Sequence, residues 1–187
     1  MAAPLLAVFA FGSQGSFRID ALRSIRGESL PAASHLEVQH GAHALPVGAH
    51  ADYVLRGSTG HLRYVTDAEK RTLAKAPPVL GRPEATRASL IPIRKSDAWW
   101  ELAQDQRRVI LEERSRHIAI GLEYVPAISR RLYQSRELGE PFDFLTWFEY
   151  APSDAARFEA LLQALRASEE WSYVEREVQL DLTRVPS

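Results

Sequence analysis

The chain has 187 residues, of which 45% are hydrophobic and 25% are charged, which is the balance of an ordinary soluble globular protein. Its 23 basic and 24 acidic side chains give a net charge of −1, so no basic surplus points to a nucleic-acid or anionic-membrane partner. Cysteine is absent, which excludes disulfides, thiolate metal sites and cysteine nucleophiles and leaves histidine and carboxylates as metal ligands.

The chain opens with the apolar run MAAPLLAVFAF, followed by the turn sequence GSQGS at 12–16. The run has the length of a secretory signal, but no basic residue precedes it, so a buried first strand is the stronger interpretation. No stretch of the sequence reaches the length of a membrane-spanning segment. These features predict a cytoplasmic protein without a membrane partner.

The first half of the chain predicts a loose series of short elements. In chain order they are a strand, a short helical piece, two strands and a helix, over 5–11, 19–25, 35–39, 52–56 and 67–75. The proline- and glycine-rich segment APPVLGRPEA then joins this half to the second.

The second half is easier to assign. The predicted elements are a strand, a helix, two strands, a helix and a strand, over 88–96, 97–124, 127–135, 142–151, 153–171 and 173–185. β-branched and aromatic residues mark the strands, and apolar residues three and four positions apart mark the second helix. Pro126 ends the first helix, because its ring excludes the next hydrogen bond.

This order, β-α-β-β-α-β, is that of a ferredoxin-like unit. Because the first half resembles a looser version of the same unit, the sequence predicts an α+β fold of duplicated ferredoxin-like βαββαβ units. The two halves are expected at 1–80 and 81–187. The repeat is inferred from the order of the elements, since the halves share no clear sequence similarity.

His117 falls late on the first predicted helix of the second half, and Arg130 falls on the strand that follows. Arg130 shares a face of its strand with Ile128 and Leu132, where a charged group costs several kcal/mol unless something pairs with it. The next strand offers a mostly apolar wall with the hydroxyl of Thr146. An anionic ligand and an ion pair with a helix carboxylate are both compatible with this pattern. Spacing alone also allows His117 to be an ordinary half-exposed helix residue.

Carboxylates, a lysine and two indoles of the second half are further candidates. Glu169 and Glu170 are compatible with two interpretations. Both could lie at a solvated helix end, or one of them could accept the second ring N–H of a histidine and so orient a metal-bound imidazole. Lys95 is either a surface lysine or an anchor for a carboxylate-bearing cofactor. Trp99 and Trp100 are typical core residues whose indole N–H groups can also bind carboxylates.

Other kinds of site have weaker support. No glycine-rich phosphate loop occurs, because the turn at 12–16 lacks the following Lys-Ser/Thr. His40, His43 and His50 could form a weak surface metal cluster, although solvated loop histidines are the stronger interpretation.

Two stretches of the second half carry a family resemblance: GRPEATRASLIPIRKSDAWWELAQDQRRVILEERSRHIAIGLEYVPAISRRLYQSRELGEPFDFLTWFEYAP, from Gly81, and LRASEEWSYVEREVQL, from Leu165. They resemble the haem-containing chlorite dismutase family, and within it the short, dimeric branch. The likeness is thinner in the first half, where GESLPAASHL and LRGSTGHLRYVTDAEK are the recognisable pieces. The resemblance implies a fold of the dimeric α+β barrel type.

The resemblance also implies roles for individual residues. It makes His117 the axial ligand of haem iron, Glu170 its hydrogen-bond partner, and Arg130 the arginine on the open, distal face. It places propionate neighbours and pocket residues around the haem: Lys95, Trp99, Tyr64, Ile91, Thr146 and Phe148. Val125 stands where close relatives commonly carry leucine, a change that would loosen the entrance to the distal pocket.

The implied function is the conversion of chlorite, a small anion, to chloride and dioxygen by a homodimeric haem b enzyme. Two alternatives stay open. The coproheme decarboxylase group resembles this family in fold and proximal histidine, but it lacks the distal arginine. A haem-binding sensor or carrier with incidental peroxidase activity would use the same ligands.

Overall fold

The structure is a computed structural model that describes residues 5–41, 51–59, 80–125 and 127–186. Eight strands in these ranges close into a barrel in the order β1-β3-β2-β8-β5-β7-β6-β4, and all neighbours pair antiparallel. The strands are β1 (Leu6–Gly12), β2 (Phe17–Arg26), β3 (His35–His40), β4 (Ala51–Ser58), β5 (Arg87–Lys95), β6 (Ile128–Gln134), β7 (Phe144–Tyr150) and β8 (Val174–Arg184). In the described part of the chain, no helix is long and apolar enough to cross a membrane.

The first half of the chain supplies β1 to β4, and one sequence prediction there is wrong. Residues 19–25, expected to be helical, lie in β2, which pairs with β8. Ile19, Leu22 and Ile25 recur every three residues, as they would on a helix. In the strand, two irregularities in the pairing with β8 account for this spacing, because each bulge shifts the alternation of faces. The helix predicted over 67–75 lies outside the described residues.

The second half follows the predicted order of strand, helix, two strands, helix and strand. Its helices are α1 (Asp97–Glu101), α2 (Gln104–Arg108), a π-helical segment (Val109–Arg114), α3 (His117–Glu123) and α4 (Ala155–Arg166). Short 3₁₀ turns occupy Arg136–Leu138, Pro152–Asp154 and Glu169–Tyr173. The single helix predicted over 97–124 is therefore wrong, since the chain forms three helical pieces and a π-helical segment there.

Two hydrophobic cores lie on opposite sides of the barrel wall. One fills the barrel interior and includes Phe9, Tyr133 and Trp147. The other lies outside, where helix α4 covers β5, β6 and β7, and includes Phe148 and Phe158. Because side chains alternate along a strand, this arrangement decides which residues of β6 and β7 point into the barrel and which point towards the helices.

Candidate functional site

His117 is the first residue of α3, so the prediction that it lies late on a long helix is wrong. The break before it is made by Arg116, which adopts the left-handed conformation with φ 52° and ψ 33°. Beyond the break, the backbone N–H of Ile118 donates to Oε2 of Glu112 at 2.7 Å. The side chain of His117 is about one-quarter exposed, at 25%. The imidazole therefore projects from a fixed helix start rather than from the middle of a continuous helix.

Glu170 is the hydrogen-bond partner of His117. Oε2 of the carboxylate lies 2.6 Å from Nδ1 of the imidazole. The Glu170 side chain is buried, and its backbone N–H donates to the hydroxyl of Ser115 at 2.8 Å. Since Nδ1 is engaged by the carboxylate, Nε2 is the ring nitrogen left for a metal.

Lys95 lies on the other side of the same carboxylate. Its Nζ is 2.7 Å from Oε1 of Glu170, and the lysine side chain is only 4% exposed. The ammonium also lies over the rings of Trp99 and Trp171, at 4.7 and 5.5 Å from their centroids. The sequence prediction placed Lys95 and Trp99 beside haem propionates, and the structure shows Glu170 as the partner of this lysine.

The electrostatics of this triad keep Glu170 ionised. Burial by itself would raise the pKa of Glu170, but the neighbouring His117 and Lys95 lower it to about 2 through charge and hydrogen bonds. Burial lowers the pKa of Lys95, and the nearby carboxylates oppose that shift. An anionic carboxylate polarises the Nδ1–H bond of His117 and leaves more electron density on the ring. The imidazole is therefore a stronger donor to a metal.

Glu169, the neighbouring carboxylate, has a different environment. It is exposed and forms a 3.0 Å surface ion pair with Arg114. The structure thus assigns the histidine contact to Glu170 and leaves Glu169 at the solvated end that the sequence also allowed.

Arg130 points out of the barrel, towards α3. Its guanidinium lies against Gly121, where a Cβ would be only 2.8 Å from Cζ of the arginine. Gly121 follows His117 by one helical turn and lies on the same face of α3. Arg130 makes no ion pair or hydrogen bond with any residue in the described part of the chain, and burial lowers the pKa of its guanidinium. Arginine nevertheless stays charged in proteins, so a half-buried cation lies beside the histidine.

The adjacent Arg131 points the other way. It lies two residues before Tyr133, so it shares the face of β6 that carries this fully buried ring inside the barrel. Of the two consecutive arginines, Arg130 therefore lies on the side that carries His117. Leu132 shares the face of Arg130, as the alternation predicts, and is 50% exposed.

The predicted wall residues share this outer face. Ile91 pairs across the strands with Thr146, and Phe148 pairs with Arg130. Ile91 and Phe148 are buried, and Thr146 is half-buried. Tyr64, the remaining predicted neighbour of the haem, lies outside the described residues.

The residues around His117 suit a haem group better than a free metal ion. Among the described residues, no group of three or more histidine, cysteine, aspartate or glutamate side chains could hold a metal ion. On the outer face of α3 the described residues offer the imidazole of His117, which suits an iron that brings its equatorial ligands with it. The missing side chain at Gly121 gives α3 a flat surface one turn from His117, and Phe148 and Ile91 provide apolar contacts. These residues fit an iron porphyrin.

The metal cluster considered for the histidines of the first half has no comparable support. His40 lies in β3 and its Nε2 is 2.7 Å from the hydroxyl of Tyr133. His43 and His50 lie outside the described residues.

Comparisons with known proteins show which family this chain resembles. A profile of the family described as chlorite dismutase matches residues 38–185, which is more than half of the chain. The structure of a dimeric chlorite dismutase from Nitrobacter winogradskyi has 54% sequence identity, covers 96% of this chain and 99% of its own, and superposes with a TM-score of 0.87.

More distant relatives include two further chlorite dismutases. A mutant chlorite dismutase from Candidatus Nitrospira defluvii, in complex with cyanide, has a TM-score of 0.70 at 22% identity, covering 97% of this chain and 91% of its own. At that identity the likeness concerns the fold. The chlorite dismutase of Ideonella dechloratans is 34% identical over 86 residues, which are 46% of this chain and 28% of that relative's length.

Proposed function

The chain belongs to the chlorite dismutase family, and from that premise we propose that it is a haem enzyme that converts chlorite to chloride and dioxygen. The observation that carries the proposal is the His117–Glu170 pair, joined at 2.6 Å, on the helix face against which Arg130 lies. This arrangement offers an electron-rich metal ligand and a cation for an anionic substrate along one face of α3.

Haem b would be held through Nε2 of His117 and would supply the redox chemistry of iron. Glu170 holds the Nδ1 proton and fixes the orientation of the ring. Lys95 balances the charge of Glu170, so that the carboxylate can be anionic in a buried place. Gly121 lacks a side chain where the Arg130 guanidinium lies, so this face of α3 would leave room for the arginine beside a bound haem.

Arg130 would hold the substrate. Chlorite carries one negative charge, and a guanidinium with no other described partner offers it charge-assisted hydrogen bonds. The conversion of chlorite to chloride and dioxygen neither consumes nor releases a proton. The chain therefore has to bind and orient an anion and keep its fragments in place, and it needs no general base for the overall balance.

Arg130 also separates the proposal from its first alternative. The coproheme decarboxylase group resembles this family in fold and proximal histidine but lacks the distal arginine that stands here at position 130. A haem-binding sensor with incidental peroxidase activity is the second alternative, because it would use the same iron ligand.

One experiment distinguishes these functions. Purified protein is titrated with haemin, and dioxygen is then recorded with an oxygen electrode after chlorite is added. The proposal predicts a sharp Soret band and rapid dioxygen release. A Soret band without dioxygen release would favour the sensor or carrier, and failure to bind haem would contradict the cofactor assignment itself.

The same relatives and the sheet topology support a proposal about architecture. Each half of the barrel has its own strands in one order, β4-β1-β3-β2 in the first and β8-β5-β7-β6 in the second. Both follow the pattern 4-1-3-2 within the half, which is that of a ferredoxin-like unit. We therefore propose that residues 1–80 and 81–187 are duplicated ferredoxin-like halves, and that the chain forms a homodimer as the Nitrobacter winogradskyi protein does.

Replacing Glu170 with glutamine is expected to leave haem bound and to raise the reduction potential of the iron. The neutral amide no longer attracts the Nδ1 proton, so the imidazole donates less electron density to ferric iron. A neutral hydrogen bond in place of a charge-assisted one is weaker by about 1–2 kcal/mol, which corresponds to about 45–90 mV. Spectroelectrochemical titration measures the shift.

Glu169→Gln is the matched control, because it removes the adjacent but exposed carboxylate. Its potential should stay near that of the unchanged protein. A larger shift of the potential in Glu169→Gln than in Glu170→Gln would contradict the assignment of the histidine contact to Glu170.

A further inference from the structure

The turn that precedes His117 is an unusual piece of backbone. The π-helical segment Val109–Arg114 ends immediately before it, and Arg116 then adopts the left-handed conformation. For a residue other than glycine, that conformation costs about 1–2 kcal/mol. Among the described residues, Arg116 is the only one with a side chain at positive φ. Neighbouring contacts must therefore hold this turn in place.

Glu112 supplies contacts on both sides of the turn. Its backbone carbonyl accepts the N–H of Arg116 at 3.0 Å, and its carboxylate accepts the N–H of Ile118 at 2.7 Å. His117 is the residue between these two anchored amides. Glu112 therefore holds the backbone on both sides of His117, through its carbonyl before the histidine and through its carboxylate after it.

Ser115 connects the same turn to the partner of the imidazole. The serine is buried, and its hydroxyl accepts the backbone N–H of Glu170 at 2.8 Å. The turn therefore has two links to its surroundings: Glu112 fixes the main chain around His117, and Ser115 fixes the main chain of Glu170. The 2.6 Å contact between the side chains of His117 and Glu170 lies between these two links.

We propose that Glu112 is a positioning residue for the haem ligand, and that together with Ser115 it sets the geometry of the His117–Glu170 hydrogen bond. This inference rests on the proposed function, because it assigns a task towards haem. It goes beyond that function by naming a carboxylate that touches neither the imidazole nor the substrate and acts through the backbone.

The test compares three variants at position 112 in the haem-loaded protein. Glu112→Ala removes the acceptor, Glu112→Asp keeps the charge but shortens its reach, and Glu112→Gln removes the charge but keeps an acceptor oxygen. Glu113→Ala is the matched control, because it removes an exposed carboxylate from the next position. The readouts are haem stoichiometry from the Soret band, reduction potential, and the ferric electron paramagnetic resonance spectrum.

Glu112→Ala and Glu112→Asp are expected to bind haem fully and to shift the ferric–ferrous equilibrium about threefold towards ferrous, which is about 28 mV at 59 mV per tenfold. Both should broaden the ferric spectrum. Glu112→Gln and Glu113→Ala should match the unchanged protein. Glu112→Ala and Glu112→Asp lose the contact with the Ile118 N–H by different means. If one of them folds poorly, the other still tests the proposal.

Combination with Glu170→Gln shows whether Glu112 acts through the histidine–carboxylate pair. If it does, adding Glu112→Ala to Glu170→Gln leaves the potential where Glu170→Gln has put it. An equal further shift in the double variant would overturn the inference, as would an unchanged potential in Glu112→Ala and Glu112→Asp. Because all these variants should bind haem through His117, such results would leave the proposed function standing.

Discussion

Replacing His117 with alanine is expected to abolish stable haem binding. Among the described residues, His117 provides the imidazole on the face of α3 that carries Gly121, and its Nδ1 is already held by Glu170. Without it, the iron has no described protein ligand on this face of α3, and apolar contacts alone would leave the porphyrin free to exchange. Haemin titration followed by desalting should give a full Soret band for the unchanged protein and only a trace for His117→Ala.

Two controls make this result specific to the ligand. His40→Ala removes a histidine whose ring is hydrogen-bonded to Tyr133, away from α3, and should retain haem. His117→Gly should regain a Soret band when imidazole is added, because the small molecule can enter the space of the missing ring. Retention of haem at full stoichiometry by His117→Ala would show that another residue binds the iron.

Arg130→Ala is expected to bind haem normally but to lose catalytic efficiency. The guanidinium makes no bond to iron, and its proposed task is to hold the anion. Loss of a charge-assisted hydrogen bond costs about 1.5–3 kcal/mol, or roughly 10- to 150-fold in kcat/KM. Reactive oxychlorine species should also escape more often, so the variant should bleach its own haem sooner and release less dioxygen per enzyme before inactivation.

Arg131→Ala is the matched comparison, because Arg131 shares the face of β6 that carries Tyr133 inside the barrel, opposite the face of Arg130. Rates and dioxygen yields are compared per haem-loaded protein, so that any loss of barrel stability in Arg131→Ala is removed from the comparison. Arg130→Lys, which keeps the charge but not the planar donor pair, should fall between Arg130→Ala and the unchanged protein. A defect in Arg131→Ala with normal turnover in Arg130→Ala would invalidate the distal assignment.

The strands of the second half could be predicted well from sequence, because β-branched and aromatic residues alternate clearly and proline marks the boundaries. The segment 19–25 could not, since bulges in β2 give its apolar residues a spacing of three. Bulges depend on pairing with β8, which is distant in sequence. Local periodicity therefore indicated a helix where the barrel imposes a strand.

The break before His117 also escaped prediction. Nothing in the sequence around Arg116 resembles a helix stop: no glycine or proline occurs there, and the left-handed residue is an arginine. The break depends on contacts that Glu112 and Ser115 make after the chain has folded. Burial of Ser115, which allows its contact with Glu170, is visible only in the folded chain.

The site itself was only partly accessible from residue patterns. The placement of Arg130 on the helix-covered face followed from alternation along its strand. The assignment of Glu170 over Glu169, in contrast, rested on a family resemblance, because two adjacent glutamates are indistinguishable by pattern. The contact of Lys95 with Glu170 joins β5 to the turn after α4, and no local signal connects residues so far apart.

The most direct test of the central claim uses isotopically mixed chlorite. Haem-loaded protein is given equal amounts of chlorite labelled wholly with oxygen-16 or wholly with oxygen-18, and the dioxygen is analysed by mass spectrometry alongside chloride. If one anion is held beside the haem by Arg130 until both its oxygens leave together, then each chlorite yields one chloride and one dioxygen, and the dioxygen is either wholly light or wholly heavy. Scrambled dioxygen, or chlorite loss without dioxygen, would contradict this account.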